Sequence, residues 1–265
     1  MEGMAAKNHI ELVVKTMAVL ETLASNEYGK PLKDIAQEIG LVKSSAFRIL
    51  FTLKETGYVE QPEASGAYRL TLKTAALARR NAARLGLATI ARPHLVMLRE
   101  KLDESVALAE RLSNSVILID VLETSRPLRL TFHIGDDCPI HATALGKAVA
   151  AYLSAEELGQ FLHGSRLPQY TQRTHTTLRA LKADLERTRK AGYALNDEET
   201  VSGAVIVGAP VFDAHASVCG AVSVNIPTVR CSAARKKQLI AAVVEVCARI
   251  SADLAGAGYV RTPTA

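Results

Sequence analysis

The amino-acid sequence predicts an α+β protein in two parts: a small, mostly helical N-terminal domain over residues 8–71 and a larger C-terminal domain over residues 89–255, joined by a helix over residues 72–88. Three observations predict it. Residues 10–55 carry three successive helical patterns and residues 58–70 a hairpin pattern; a helical stretch too long for a loop follows; beyond it, apolar strands and amphipathic helices mix without the regular alternation of a parallel sheet. The length of 265 residues allows two cores, and 48% hydrophobic with 22% charged residues is an ordinary globular balance. No apolar run approaches the roughly 20 residues needed to span a bilayer, and residues 1–7 lack the apolar centre of a secretion signal. A cytoplasmic protein with no membrane partner is expected.

In the first part, Ile10, Val13, Val14, Met17, Leu20 and Leu23 recur at spacings of three and four, the stripe of an amphipathic helix. The polar run 25–29 ends it. Pro31 opens a short second helix with Leu32, Ile35, Ala36 and Ile39 on one face, and Gly40 closes it. A third helix over residues 43–55 buries Ala46, Ile49, Leu50 and Leu53 and leaves Ser44, Ser45, Phe47, Arg48, Thr52 and Lys54 outside. Two short helices meeting at a tight turn form a helix-turn-helix. Residues 58–60 and 67–70, separated by the turn-forming stretch 61–66, read as a β-hairpin, the wing of a winged helix-turn-helix.

That arrangement suits double-stranded DNA. A helix fits the major groove, short hydroxyls approach base edges or phosphates, and Arg pairs with guanine or clamps phosphate. The candidate contact residues are Lys33, Lys43, Ser44, Ser45, Phe47, Arg48, Thr52 and Arg69. Charge agrees with this without deciding it. Of a formal net charge of +5, residues 1–88 hold 12 Lys and Arg against 9 Asp and Glu, and five basic residues with no acid lie between Arg69 and Arg84.

In the second part, a helix is expected over residues 89–102 and a strand hairpin over residues 105–121 that turns at Ser113 and Asn114. The segment 141–147 reads as a loop running into a helix over 148–153. Ser154 and Glu157 form a capping box, residues 177–191 a helix stopped by Gly192, residues 203–211 and 218–225 two apolar strands, and residues 232–254 a final helix.

The chain resembles the isocitrate-lyase-regulator (IclR) family of bacterial transcription regulators. The resemblance lies in Leu41-Val42-Lys43-Ser44-Ser45-Ala46-Phe47-Arg48-Ile49-Leu50, then Gly57-Tyr58-Val59 and Tyr68-Arg69-Leu70, which match the family's recognition helix and wing. It extends through His141-Ala142-Thr143-Ala144-Leu145-Gly146-Lys147-Ala148, Gly192-Tyr193-Ala194-Leu195-Asn196-Asp197-Glu198-Glu199 and Ala209-Pro210-Val211-Phe212-Asp213, in the family's order. It implies a GAF-like C-terminal fold that binds a small-molecule effector, and dimers that pair into tetramers. The positions matching the family's effector pocket are Leu130, Cys138, Ala144, Leu145, Asn196, Ala204, Ile206, Ser223 and Asn225. This chain departs from members that bind small oxo-acids at Asn196, Ile206 and Asn225, where those carry an acid, a cysteine and a serine.

Read on its own, the stretch from Thr143 to Gly146 offers backbone amides at a helix start, which suits an anion; the resemblance adds that Asn196 lacks the charge that would repel one. A small organic acid, aromatic or not, is the expected effector. An enzyme acting on a small acid would have to recruit His141, His133, Lys147 or Asp213, but no nucleophile elbow, phosphate loop or metal spacing accompanies them. Cys138, Cys219, Cys231 and Cys247 are scattered without a C-x-x-C pair, so they read as small buried hydrophobes, and neither metal nor cofactor is expected. A DNA protein without a ligand would leave two thirds of the chain unexplained.

Overall fold

The computed structural model of the chain describes residues 10–26, 28–62, 66–82, 86–163 and 167–261. It divides into two compact units, residues 1–84 and 85–265.

The N-terminal unit contains helices α1 (Glu11–Ala24), α2 (Leu32–Glu38), α3 (Lys43–Glu55) and α4 (Leu72–Ala82) and strands β1 (Val59–Glu60) and β2 (Arg69–Leu70). Both short helices end in the same device. At the end of α2, Gly40 takes φ +65° while the Leu41 amide donates to the Ala36 carbonyl; after α3, Gly57 takes φ +77° and the Tyr58 amide donates to Leu53. These are Schellman caps, which place a glycine where a side chain would be strained. The strands pair antiparallel, Val59 with Leu70 and Glu60 with Arg69, and Lys30 bridges to Tyr68 beside them. Residues 63–65 of the expected turn lie outside the described residues.

Val19, Leu23, Ile35, Ile49, Leu50, Leu53, Val59 and Tyr68 form the core of this unit. The stripe expected on α1 is only partly right. Leu23 is buried, but Ile10, Val13, Val14 and Met17 are exposed, and Val19 supplies the contact instead. The stripe residues that pack, Leu20 and Leu23, lie in the second half of α1 beside Val19.

The segment expected as one connecting helix over residues 72–88 is helical on both sides of residues 83–85. Helix α4 belongs to the first unit, residues 83–85 lie outside the described residues, and α5 (Gly86–Leu102) begins three residues before the expected start at 89. Leu87, fully buried, already packs in the second unit's core.

The second unit is built on a five-stranded antiparallel sheet in the order β4-β3-β7-β6-β5, where β3 is Ser105–Arg111, β4 Val116–Leu122, β5 Ala194–Asp197, β6 Ala204–Phe212 and β7 Val218–Pro227. Helices cover both faces, so the strands read as nearly unbroken apolar runs. On one face α5 and α9 (Ala233–Gly256) pack on Val106, Leu108, Val205, Val207, Val222 and Val224. On the other, α6 (Ala144–Ala150), α7 (Ala155–Leu162) and α8 (Leu178–Ala191) share a core with Ala107, Ala109, Ile206 and Ala221. The period-two alternation therefore sends Ser223 and Asn225 of β7 to the α6 side. This is the mixed helix-and-sheet arrangement expected of a GAF-like fold. Ser154 and Glu157 form the reciprocal capping box of α7, Thr177 caps α8, and Gly192 ends α8 at φ +78°.

Candidate DNA-reading face and ligand cavity

Helix α3 turns Ala46, Ile49, Leu50 and Leu53 into the N-terminal core, which fixes its opposite side outward. Lys43, Ser44, Phe47, Arg48, Phe51, Thr52 and Lys54 are exposed and Ser45 is half-buried. The residue before α3, Val42, has no side chain that could cap the helix, and its first turn holds no acid, so Lys43 and the leading amides are open to an anion. Lys33 stands exposed on α2. Among the described residues, Lys33, Lys43 and Arg48 have no carboxylate partner. Arg69 differs: its Nε lies 2.7 Å from Glu60 across the hairpin, which leaves the terminal guanidinium nitrogens to meet a phosphate. Phe51, which is not among the candidate contact residues, follows Phe47 by one helical turn and is exposed beside it.

In the C-terminal unit a cavity of about 470 Å³ opens beneath α6. Seven of the eleven expected pocket residues line it: Cys138, Thr143, Ala144, Leu145, Ile206, Ser223 and Asn225. Its remaining walls are Ala107, Leu118, Thr131, Phe132, Asp136, Asp137, Pro139, Tyr170, Thr200 and Val201. Of these, Ala107 was legible in principle, since it pairs with Ser223 in the antiparallel register. The loop residues carried no periodic signal.

The polar floor is internally bonded. Ser223 Oγ donates to Asn225 Oδ1 at 3.2 Å, and Asn225 Nδ2 donates to the Ser105 carbonyl at 3.3 Å. At the mouth, the Asp136 carboxylate accepts the His133 amide at 2.9 Å. Burial pushes the Asp137 carboxyl above its ordinary value. Burial, with Asp137 and Asp136 adding to it, raises the Cys138 thiol to about 12, so this sulfur is a protonated wall atom and not a nucleophile.

Four expected pocket residues stand elsewhere. Leu130 is half-buried against the α6-side core without lining the cavity. Ala204 pairs with Pro227 at the start of β6, beyond the cavity. Asn196 is fully buried and committed to its own loop: Nδ2 donates to Thr200 Oγ1 at 2.8 Å and Oδ1 accepts the Glu199 amide at 2.8 Å. Thr200, its hydrogen-bond partner, lines the cavity and Asn196 does not. Gly146 has a packing role, because a Cβ there would lie 2.5 Å from the Cys138 carbonyl oxygen and 2.7 Å from that of Pro139. The helix also starts at Ala144, four residues before the expected 148, because Thr143 is its cap. Thr143 Oγ1 accepts the Gly146 amide at 2.9 Å, which removes one of the donors expected for an anion.

Three of the four residues an enzyme would need are committed to structure, while His133 stands exposed. His141 is buried, with Nε2 3.0 Å from the Pro168 carbonyl, and stacks on Tyr170. Asp213 accepts the amides of His215, Ser217 and Arg261. Lys147 is wholly buried; its ammonium donates to the Leu195 carbonyl at 2.6 Å and to Glu199 at 2.7 and 2.8 Å, and lies 2.9 Å from Asp184. His175, Asp184 and Glu199 converge with ligand atoms within 4.8 Å of one another, but around this ammonium. Among the described residues, no helix is long and apolar enough to cross a membrane.

Comparison with known proteins covers both units. Residues 12–63 match the IclR helix-turn-helix domain, and residues 80–252 match the bacterial transcriptional regulator IclR C-terminal domain. The chain is 30% identical to the transcriptional repressor IclR of Escherichia coli strain K12 over 258 residues, covering 95% of this chain and 92% of that protein. It is 32% identical over 241 residues to the DNA-binding transcriptional repressor YiaJ of the same strain, covering 90% and 86%. An IclR homolog from Microbacterium hydrocarbonoxydans, crystallised with 4-hydroxybenzoate, has the same fold, with a TM-score of 0.79 at 23% identity over 93% of this chain and 100% of that one.

Proposed function

The chain belongs to the IclR family of bacterial transcriptional regulators, a regulator and not an enzyme, and from that premise we propose that it binds operator DNA through α3 and the β1–β2 hairpin, under the control of a small molecule held beneath α6. We read the two units as the DNA-binding and effector-binding parts, with α4 as the linker between them. One recognition helix reads few base pairs, so the working form is a homodimer or a tetramer on two-fold related half-sites, in the cytoplasm.

The observation that carries the effector reading is the pair Ser223 and Asn225, 0% and 2% exposed, set into an otherwise apolar strand face and turned to the cavity. Packing alone would favour Val or Ala there. A few polar groups on an apolar wall are what a small-ligand site requires.

The walls also bear on ligand class. For a carboxylate, the class expected from the sequence, Ser223 and Thr143 already donate to Asn225 and to the Pro139 carbonyl, so the neutral donors left include the second amide hydrogen of Asn225 and the Thr200 hydroxyl, while Asp136 and Asp137 share the same cavity. One carboxylate turned away from those acids is tolerated, and a second is repelled more strongly as water is excluded. A ring fits between Phe132, Leu145, Ile206 and Tyr170. We therefore favour a compact mono-acid with an apolar or aromatic body and a hydroxyl that donates to Asp136 or Asp137. The 4-hydroxybenzoate held by the Microbacterium hydrocarbonoxydans relative has that form. Thermal unfolding with 4-hydroxybenzoate, benzoate and terephthalate tests this. A ligand at 100 times its Kd stabilises by about 2.7 kcal/mol. A shift with the mono-acids, absent with terephthalate and lost in Ile206→Trp, is expected; a shift with terephthalate alone overturns the class.

A further inference from the structure

We propose that Phe47 and Phe51 form an apolar reading surface on α3 that recognises the 5-methyl groups of thymine in the operator's major groove. The proposal rests on the DNA-binding reading above and makes part of it specific. The two rings lie one helical turn apart with centroids separated by 6.2 Å, and they are 48% and 54% exposed. The core does not use them, since Ala46, Ile49, Leu50 and Leu53 fill it from the other side of the helix. With Arg48 and Thr52 they line a shallow depression. Thr52 donates its hydroxyl to the Arg48 carbonyl at 2.9 Å, so its hydroxyl hydrogen is already committed within the helix.

Charge singles out the occupant. Lys43 opens the helix, Arg48 lies between the two aromatics in sequence, Lys54 is near the end, and the first acid of the helix is Glu55. A face of this kind meets a polyanion at its cations and something apolar at its rings. The thymine methyl is the apolar group on the major-groove edge of the bases, and a phenyl ring has no hydrogen-bonding atom with which to read the others. The separation of 6.2 Å spans about two base-pair steps of 3.4 Å each. The expected half-site therefore contains two thymines within about two steps, one beneath each ring.

The test uses the full chain and an operator duplex enriched from a randomised pool. Thymidine is replaced by deoxyuridine one position at a time, which removes only the methyl, and affinity is read by fluorescence anisotropy. Wild type should weaken by about fourfold per buried methyl at one or two positions of the half-site. Phe47→Ala and Phe51→Ala should each bind the thymine and uracil duplexes equally at the position that ring covers and keep the preference at the other. Phe47→Leu and Phe51→Leu, which retain an apolar contact, should keep both. Equal wild-type affinity for every thymine and uracil duplex overturns the proposal while leaving DNA binding intact. Failure to enrich any duplex overturns the DNA-binding reading beneath it. Alanine variants that change sedimentation but retain the methyl preference assign the face to a protein contact and overturn the proposal as well.

Discussion

Replacing Lys147 by Met keeps most of the side-chain volume and removes the ammonium. In the native protein that ammonium is fully buried against Asp184 and Glu199, whose side chains are only 14% and 9% exposed. Removing one partner of a buried pair costs about 3–5 kcal/mol because the other charge is left uncompensated. Here two carboxylates are stranded together, so the upper half of that range applies, a large share of the roughly 5–15 kcal/mol that holds a domain folded. The pH dependence gives the stronger test. In wild type, burial would raise Asp184, but the Lys147 charge and hydrogen bond outweigh it and hold the carboxyl below its ordinary value. Its contribution is therefore present above the unfolded pKa near ~4 and lost as pH falls through the lower folded value. In Lys147→Met the Arg187 hydrogen bond and His175 still act on Asp184 but the Lys147 charge does not, so its folded pKa rises, and burial, which already raises Glu199 in the wild type, raises that carboxyl further: the variant is least destabilised below ~4 and its deficit grows as pH rises. The chain has no Trp, so urea unfolding followed by far-ultraviolet circular dichroism between acidic and neutral pH is the assay. Lys147→Met/Asp184→Asn should recover part of the loss. A deficit below ~1 kcal/mol, or one equal at both ends of the pH range, would show that the cluster is solvated and the reasoning wrong.

Arg48→Ala should weaken operator binding by about 1–3 kcal/mol with the melting temperature unchanged, and intact affinity would remove Arg48 from the DNA contacts. Gly146→Ala puts a Cβ 2.5 Å from the Cys138 carbonyl oxygen, a backbone atom that cannot rotate away. It should cost about 1–3 kcal/mol and shrink the ligand-induced thermal shift; a neutral substitution would mean that α6 moves freely. Glu157 is held down to about 2 by hydrogen bonds from Arg111 and the Ser154 amide. Its stabilising effect is present above the ordinary carboxylate value and lost as pH falls toward 2, so Glu157→Gln should flatten the stability profile in that window. An unchanged acid limb would contradict this.

The parts that were legible in the sequence are those where a local rule settles the matter. Helix α3 runs over the expected residues because its apolar stripe and Gly57 both mark it, and the capping box at Ser154 stands where its spacing put it. Helix α1 misled because an apolar stripe shows that a face is apolar without showing what covers it; Val19, off the stripe, met the core first. Helix α6 was placed four residues late because its cap, Thr143, sat inside a motif taken for a loop. The strand residues of the pocket came from the family resemblance, and the alternation along β7 accounts for Ser223 and Asn225 facing the same cavity as Ile206. Asn196 escaped the same logic, since its amide closes a loop four residues long, and only the fold reveals that Thr200 stands between it and the cavity.

The close seating of α6 limits how this protein can diversify. Gly208 lies under Ala144, where a Cβ would come within 2.8 Å of a main-chain oxygen, just as Gly146 abuts the 138–140 loop. The roof of the cavity is thus fixed by backbone against backbone, and changes to the side chains of α6 cannot raise or lower it. On the proposed reading, new ligand preferences arise from side chains that line the cavity, at Leu145, Ile206, Ser223 and Asn225, at 131–138 and at 200–201, which can be exchanged without moving a helix. A laboratory library aimed at a new ligand would be best confined to those positions, with both glycines left untouched.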